Sequence, residues 1–318
     1  MASGEEKQMN AVRIHTYGGP EVLVYESAPR PIITPDELLV RVHAASVNSF
    51  DCKMRTGNYQ KYMPLQLPAI LGVESSGTVE EVGANVKNFK VGDDVLAWPD
   101  PLRNGTYAEY VAVKPSNAAP KPKSIDHVTA ATVPIAGMAA WTGLVTAGKL
   151  MPGQRVLIHG AAGGVGTFAV QIAKLRGAHV IGTASKNIDL LREIGVDEAI
   201  DYGTTRFEDV ARDIDLVLDT VGGDLPTRSL SVIKRGGVLV STAAQPDAKA
   251  ASAVGVRVET PNVDPQARSA QVTELAQLID SGRVKPIISM VLPLAEARKA
   301  HEIIQSGHAR GKIVLRVD

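Results

Sequence analysis

A single cysteine, Cys52, stands among the 318 residues, which excludes any internal disulfide and any metal lobe built on several thiolates. Charge of one sign is missing too. With 34 basic and 34 acidic residues the formal net charge is zero, and no basic run occurs, so neither nucleic acid nor an anionic membrane is expected as a partner. No apolar stretch reaches the roughly 18 residues that a membrane helix needs, and the opening MASGEEKQMN lacks the apolar centre of a signal peptide. These absences lead to the expectation of a cytoplasmic protein in a reducing compartment. The seven histidines are scattered, without H-x-x-x-H or H-x-x-E pairing. The length is about twice that at which one core is typical, so two domains are expected.

What is present is concentrated in RVLIHGAAGGVGTFAVQIAKLRGAHVIGTAS, residues 155–185, which reads as strand, glycine turn, helix and second strand. Gly163 allows close approach of a pyrophosphate to the backbone, Gly166 allows the helix to pack on the strand, and the helix start turns unpaired N–H groups toward the anion. Ala162, Gly163, Gly164, Val165 and Gly166 are therefore expected to hold a dinucleotide, with Ala161 in place of the usual first glycine. About 20 residues on, an NAD site needs a carboxylate for the ribose 2′-OH. Here stand Ser185 and Lys186 and no acid, a pair suited to a 2′-phosphate, which points to NADPH. The competing reading makes Lys186 a solvated residue at a helix start.

The chain changes character along its length. Before residue 129, strand-like segments such as ELLVRVHAASV, GTVEEVG and TYAEYVAV are divided by Gly and Pro turns; from 155 strand and helix alternate. Expected strands at 155–159, 179–183, 198–201, 215–219, 237–241 and 256–260 make a doubly wound parallel sheet. The fold class is thus α/β, a six-stranded Rossmann sheet with a second, mostly-β domain. The expected bounds are 1–128, completed by 284–318, and 129–283.

Ten blocks in order then carry a family resemblance: AASVNSFD, PAILGVESSGTVEEVG, VGDDV, GTYAEYV, PIAGMAAW, HGAAGGVG, TASKN, IDY, DTVGG and GHARGKIVL. The chain resembles the zinc-independent quinone oxidoreductases of the medium-chain dehydrogenase/reductase superfamily. The resemblance implies a GroES-like substrate domain, a Rossmann domain, NADPH in the cleft between them, and a homodimer. Zinc-dependent members of that superfamily carry a cysteine where this chain has Asn48, a histidine where it has Val73 and a second cysteine near Ala136, so no metal is expected.

Without a Lewis acid, hydride transfer to an electron-poor acceptor is the expected chemistry, the acceptor being a quinone or, as an alternative, an enone or 2-alkenal. A non-catalytic NADPH-binding sensor or crystallin-like protein is the rival from another class. By resemblance Asn48 donates an amide N–H to the acceptor oxygen; the alternative is a turn residue bonding its own backbone. Lys53, where relatives often have tyrosine, is expected to polarise the acceptor or touch the cofactor, and otherwise is a surface lysine. Tyr59 and Tyr107 are candidates for stacking or proton supply. Tyr202, Thr220, Val221, Ser241, Thr242 and Ala243 follow strand ends, where ligands gather. Arg310 and Lys312 are expected by resemblance to reach the cofactor, the alternative being a solvated basic turn. Glu74 is expected to hold the fold through a buried bond or ion pair.

Overall fold

The computed structural model describes residues 7–185, 187–244, 246–261, 265–307 and 309–317. Within them the chain divides into two units, Met1–Ile135 with Arg268–Asp280 and Ile288–Asp318, and Ala136–Ala267 with Ser281–Ile287.

In the first unit, β1 (Gln8–Ile14) lies between β2 (Leu23–Pro29) and β4 (Ala69–Ile70) in a small antiparallel sheet. The larger sheet is built on β3 (Leu38–Val47), a ten-residue strand whose apolar run is buried on both faces, as a central strand must be. β5 (Ser75–Val82), β6 (Asp94–Ala97) and β8 (Ala118–Pro120) follow on one side, and β7 (Tyr110–Val113) pairs with the start of β3. The core comprises Ile14, Leu38, Val40, Val95, Val111, Ile313 and Leu315, all without solvent exposure.

The second unit carries β9 (Arg155–His159), β10 (His179–Ala184), β11 (Glu198–Asp201), β12 (Ile214–Asp219), β13 (Ile233–Ser241) and β14 (Arg257–Glu259). All pair in parallel, in the order β11-β10-β9-β12-β13-β14. That order reverses direction at β9, which places a switch point at the carboxyl ends of β9 and β12, where open α/β sheets take ligands. Leu157, Ile181, Ile214, Val217 and Leu239 form its fully buried core. The chain then returns to the first unit: β16 (Lys312–Arg316) lies antiparallel beside β3, and β15 (Ile288–Pro293) runs parallel to it at the sheet edge. Among the described residues no helix is long and apolar enough to cross a membrane.

Candidate active site

In the first unit the functional side chains collect where β3 hands over to the short helix Ser49–Arg55. Asn48 is the N-cap, extended at φ −124° and ψ 154°, and its backbone N–H donates to Asp51 Oδ2 at 2.8 Å, which closes the helix start. Its carboxamide points to the end of β16. Oδ1 accepts from Lys312 Nζ at 2.6 Å, while Nδ2 donates to Glu74 Oε1 at 2.9 Å and, at a longer 3.4 Å, to the Ser46 carbonyl. Lys312 Nζ also donates to Glu74 Oε1 at 2.8 Å and to the Val47 carbonyl at 3.3 Å. Glu74 Oε2 accepts the backbone N–H of Ile135 at 2.7 Å. Glu74 is 0 % and Lys312 3 % exposed. Taking either charge alone out of water costs several kcal/mol, so each is held there by the other and by its hydrogen bonds. Glu74 thus has the ion pair that its burial demands.

Beneath this pair runs a second buried line. Tyr107, without solvent exposure, donates its phenol O–H to Asp51 Oδ2 at 2.9 Å, and His301 Nε2 lies 3.3 Å from the same phenol oxygen. His301 Nδ1 lies 3.4 Å from both Cys52 Sγ and Arg55 Nη1. Burial dominates the titration of every member. It lifts Asp51 to about 7 against the bonds from Asn48 and Tyr107, pushes the Cys52 thiol up to about 12, and drives His301 down to about 3. Cys52 is therefore an inert buried thiol.

The second unit supplies a phosphate cradle. Gly160 adopts φ +70°, a left-handed conformation suited to glycine, and a Cβ there would come within 2.7 Å of Thr220 Oγ1. A Cβ on Gly166 would lie 2.1 Å from the Gly160 carbonyl oxygen, so this glycine is required for the helix Gly164–Leu175 to pack against the turn. Ala161, Ala162 and Gly166 are buried, while Gly163, Gly164 and Val165 remain half-exposed at the helix start, where first-turn N–H groups lack helical partners. At the end of β10 the Ser185 hydroxyl donates to Tyr202 Oη at 2.9 Å, and Tyr202 is 57 % exposed. Thr220 donates to the His159 carbonyl at 2.7 Å, and Val221 stands exposed beside it.

These strand ends are held by a residue that the sequence did not single out. Asp219, fully buried, accepts from Ser241 Oγ at 2.6 Å and from the N–H groups of Val221 and Gly222, both at 3.0 Å. Ser241 Oγ in turn accepts from Ala243 N at 3.2 Å, and Thr242 Oγ1 donates to the Asp219 carbonyl at 3.3 Å. Ser241 and Thr242 thus shape the loop with their hydroxyls, and Ala243 with its backbone N–H. His159, buried beside Thr183 and Ser229 and in edge contact with Phe207, is held down at about 4 by desolvation.

Several expectations change. Lys312 has committed its three N–H donors to Glu74, Asn48 and Val47, which leaves none for a phosphate. Tyr107 is a core residue with no face left for stacking. Asn48 is not a free amide: it bonds the local backbone at Ser46, as a turn residue does, but its shorter amide contact is to Glu74, so both its amide hydrogens have acceptors. Tyr59 is half-buried with its ring 5.3 Å from that of Phe50. Lys53 is half-buried on the Ser49–Arg55 helix, and its ammonium makes no hydrogen bond or ion pair among the described residues. Arg310 is exposed, and Lys186 lies outside the described residues.

Comparison with known proteins places this geometry. Residues 34–123 match the family described as alcohol dehydrogenase GroES-like domain, and residues 194–315 the family described as zinc-binding dehydrogenase. The mouse protein named NAD(P)H oxidoreductase RTN4IP1, mitochondrial, is 35 % identical over 99 % of this chain and 91 % of its own length. An Arabidopsis thaliana protein named NADPH-dependent alkenal/one oxidoreductase, chloroplastic, is 36 % identical over 97 % of this chain and 80 % of its own. The quinone oxidoreductase structure from Coxiella burnetii superposes with a TM-score of 0.91 at 33 % identity, covering 98 % of this chain and 100 % of that one. With the glycine cradle, the six-stranded parallel sheet and the GroES-like unit in hand, the chain belongs to the medium-chain dehydrogenase/reductase superfamily, as an oxidoreductase of its quinone oxidoreductase-like group.

Proposed function

We propose that the chain is an NADPH-dependent, zinc-independent reductase that delivers hydride to a quinone. The observation that carries this reading is the half-exposed 163–165 helix start together with the Ser185–Tyr202 pair, which closes β10 with hydroxyls where an NAD site needs an acid. Ala162, Gly163, Gly164, Val165 and Gly166 hold the pyrophosphate; Ser185, Lys186 and Tyr202 hold the 2′-phosphate end. Thr220, Val221 and the 241–243 segment border the nicotinamide, with Asp219 fixing their backbone, and Arg310 adds an exposed cation. When bound, NADPH supplies the hydride. Asn48, held in place, then offers its weaker-bound amide hydrogen, the one 3.4 Å from Ser46, to the acceptor oxygen. Lys53, with its unengaged ammonium, is the local positive charge for the same oxygen, and the Phe50–Tyr59 pair adds aromatic surface beside it.

Zinc does not suit these residues. The carboxylate at hand, Glu74, is already neutralised by Lys312, the neighbouring side chain is Val73, and Asn48 stands where zinc members carry a thiolate. Stoichiometric zinc in purified protein, with activity lost on chelation, would overturn this. A 2-alkenal or enone is the second acceptor class, favoured by the 36 % identical relative of that name. The buried lone Cys52 supports a reducing, cytoplasmic setting. A homodimer formed through the β14 edge is also proposed, because an exposed sheet edge favours pairing with its copy.

The test follows NADPH and NADH oxidation against a panel of quinones, enones and alkenals. Oxidation of NADPH by quinones, with NADH much poorer, is expected. Tight NADPH binding with no acceptor consumed would instead leave a non-catalytic sensor or crystallin-like protein.

A further inference from the structure

The Asn48–Glu74–Lys312 cluster has a chemistry of its own. Lys312 carries only donors and Glu74 only acceptors, so the carboxamide between them has a single allowed orientation, oxygen to Lys312 at 2.6 Å and nitrogen to Glu74 at 2.9 Å. The three ligands of the ammonium are a carboxylate oxygen, an amide oxygen and a main-chain carbonyl, all at 2.6–3.3 Å and all uncharged apart from Glu74. This is the donor set of a small monovalent cation, reached here by a side chain from β16. An ammonium on Oδ1 also polarises the carboxamide, which strengthens its N–H groups as donors.

We propose that Lys312 is a positioning residue, a tethered monovalent cation that fixes and polarises the Asn48 carboxamide so that this amide serves as the donor to the acceptor oxygen. The inference rests on the reductase reading for its kinetic arm only. Lys312 acts through Asn48 and touches neither acceptor nor cofactor.

The experiment replaces Lys312 by alanine and returns the charge from solution as methylammonium, with tetramethylammonium as a cation too large for the site. In Lys312→Ala, kcat with a quinone should fall about tenfold or more, as for loss of one preorganised donor, while the KM for NADPH stays within about threefold. Methylammonium should restore kcat and raise the thermal midpoint of the variant; tetramethylammonium should do neither. In the double variant Glu74→Gln, Lys312→Ala, where no carboxylate awaits a cation, methylammonium should leave the midpoint unchanged. If Lys312→Ala folds only when methylammonium is present, that requirement is itself the expected rescue. A loss confined to the KM for NADPH, or a midpoint that responds equally to both cations, overturns the proposal. Should the native protein bind NADPH yet pass hydride to none of the quinones, enones or alkenals, the reductase reading fails alone, and the thermal arm still decides the role of Lys312.

Discussion

Asp51, His159 and His301 are buried titratable residues whose burial acts with opposite sign on stability. Asp51 is raised from 3.8 to about 7, so the folded protein holds a proton that the unfolded chain has released; the stability it lends is complete below 3.8 and is lost as pH rises through about 7. His159 and His301 are lowered from 6.5 to about 4 and about 3, so their contribution is present above 6.5 and lost as pH falls toward those values. Asp51→Asn, neutral at every pH, isolates the first effect. The thermal midpoint of this variant should lose less than that of the native protein as pH rises from about 4 to about 7, the interval between the unfolded and folded values of Asp51, and the two should run parallel above it. Curves parallel within that interval as well would place Asp51 outside this balance. None of the three was legible as a site residue. Asp51 lies inside AASVNSFD, yet its buried environment includes Tyr107, brought there from 56 positions away, and behind it His301, from 250 positions away. Lys312 was legible as a basic residue near the chemistry but not as the counter-ion of Glu74, because that pairing depends on β16 lying beside β3.

The strand, turn and helix from 155 to 175 were readable in order, since period, glycine spacing and length all speak locally; β9 stands where the pattern set it, while the helix, read as starting at Thr167 after a turn at 160–166, starts at Gly164 and takes the last glycines of the turn into its first winding. Of the glycines, 166 has the packing role read from its spacing, whereas the left-handed Gly160 carried no local signal beyond its place in the turn. The two inner glycines now separate by test. A Cβ at position 163 meets only the Gly160 carbonyl oxygen, at 3.2 Å, whereas at position 166 it meets three backbone atoms within 2.7 Å. Gly166→Ala should therefore cost about 1–3 kcal/mol of stability, as overpacking does. Gly163→Ala should leave the thermal midpoint nearly unchanged and weaken NADPH, measured by fluorescence titration, because the methyl group occupies the space of close approach. Equal midpoints for the two variants would remove the packing role of residue 166. Elements in the first unit were legible as strands from Gly and Pro punctuation, but their grouping into two sheets was not, since β1 and β3 differ in partners rather than in pattern.

For the whole molecule, the proposed β14 contact is the prediction with the largest signal. The strand is three residues long and ends the six-stranded order, and its Arg257 is exposed. Light scattering should return twice the chain mass of 33.6 kDa, and Val258→Pro, which removes a main-chain donor from the strand, should return the single mass. A native protein of single mass would withdraw the contact. The six parallel strands were legible from alternation alone, whereas the long excursion that separates β8 from β15 ends in strands whose place in the first unit spacing could not prove, because no local signal reports which sheet a late strand joins.

That excursion bears on synthesis. In the seven-stranded sheet β3 sits between β16 and β5, and Val47 faces Ile313 across the antiparallel pair. A ribosome therefore releases the whole of β9–β14, a set contiguous in sequence that pairs only within itself, while β3 still lacks one neighbour and Glu74 still lacks its ammonium. The unit made first is completed last. Until Lys312 emerges the Glu74 carboxylate has no counter-charge to offset its burial, so this ion pair is formed only with the last strand of the chain.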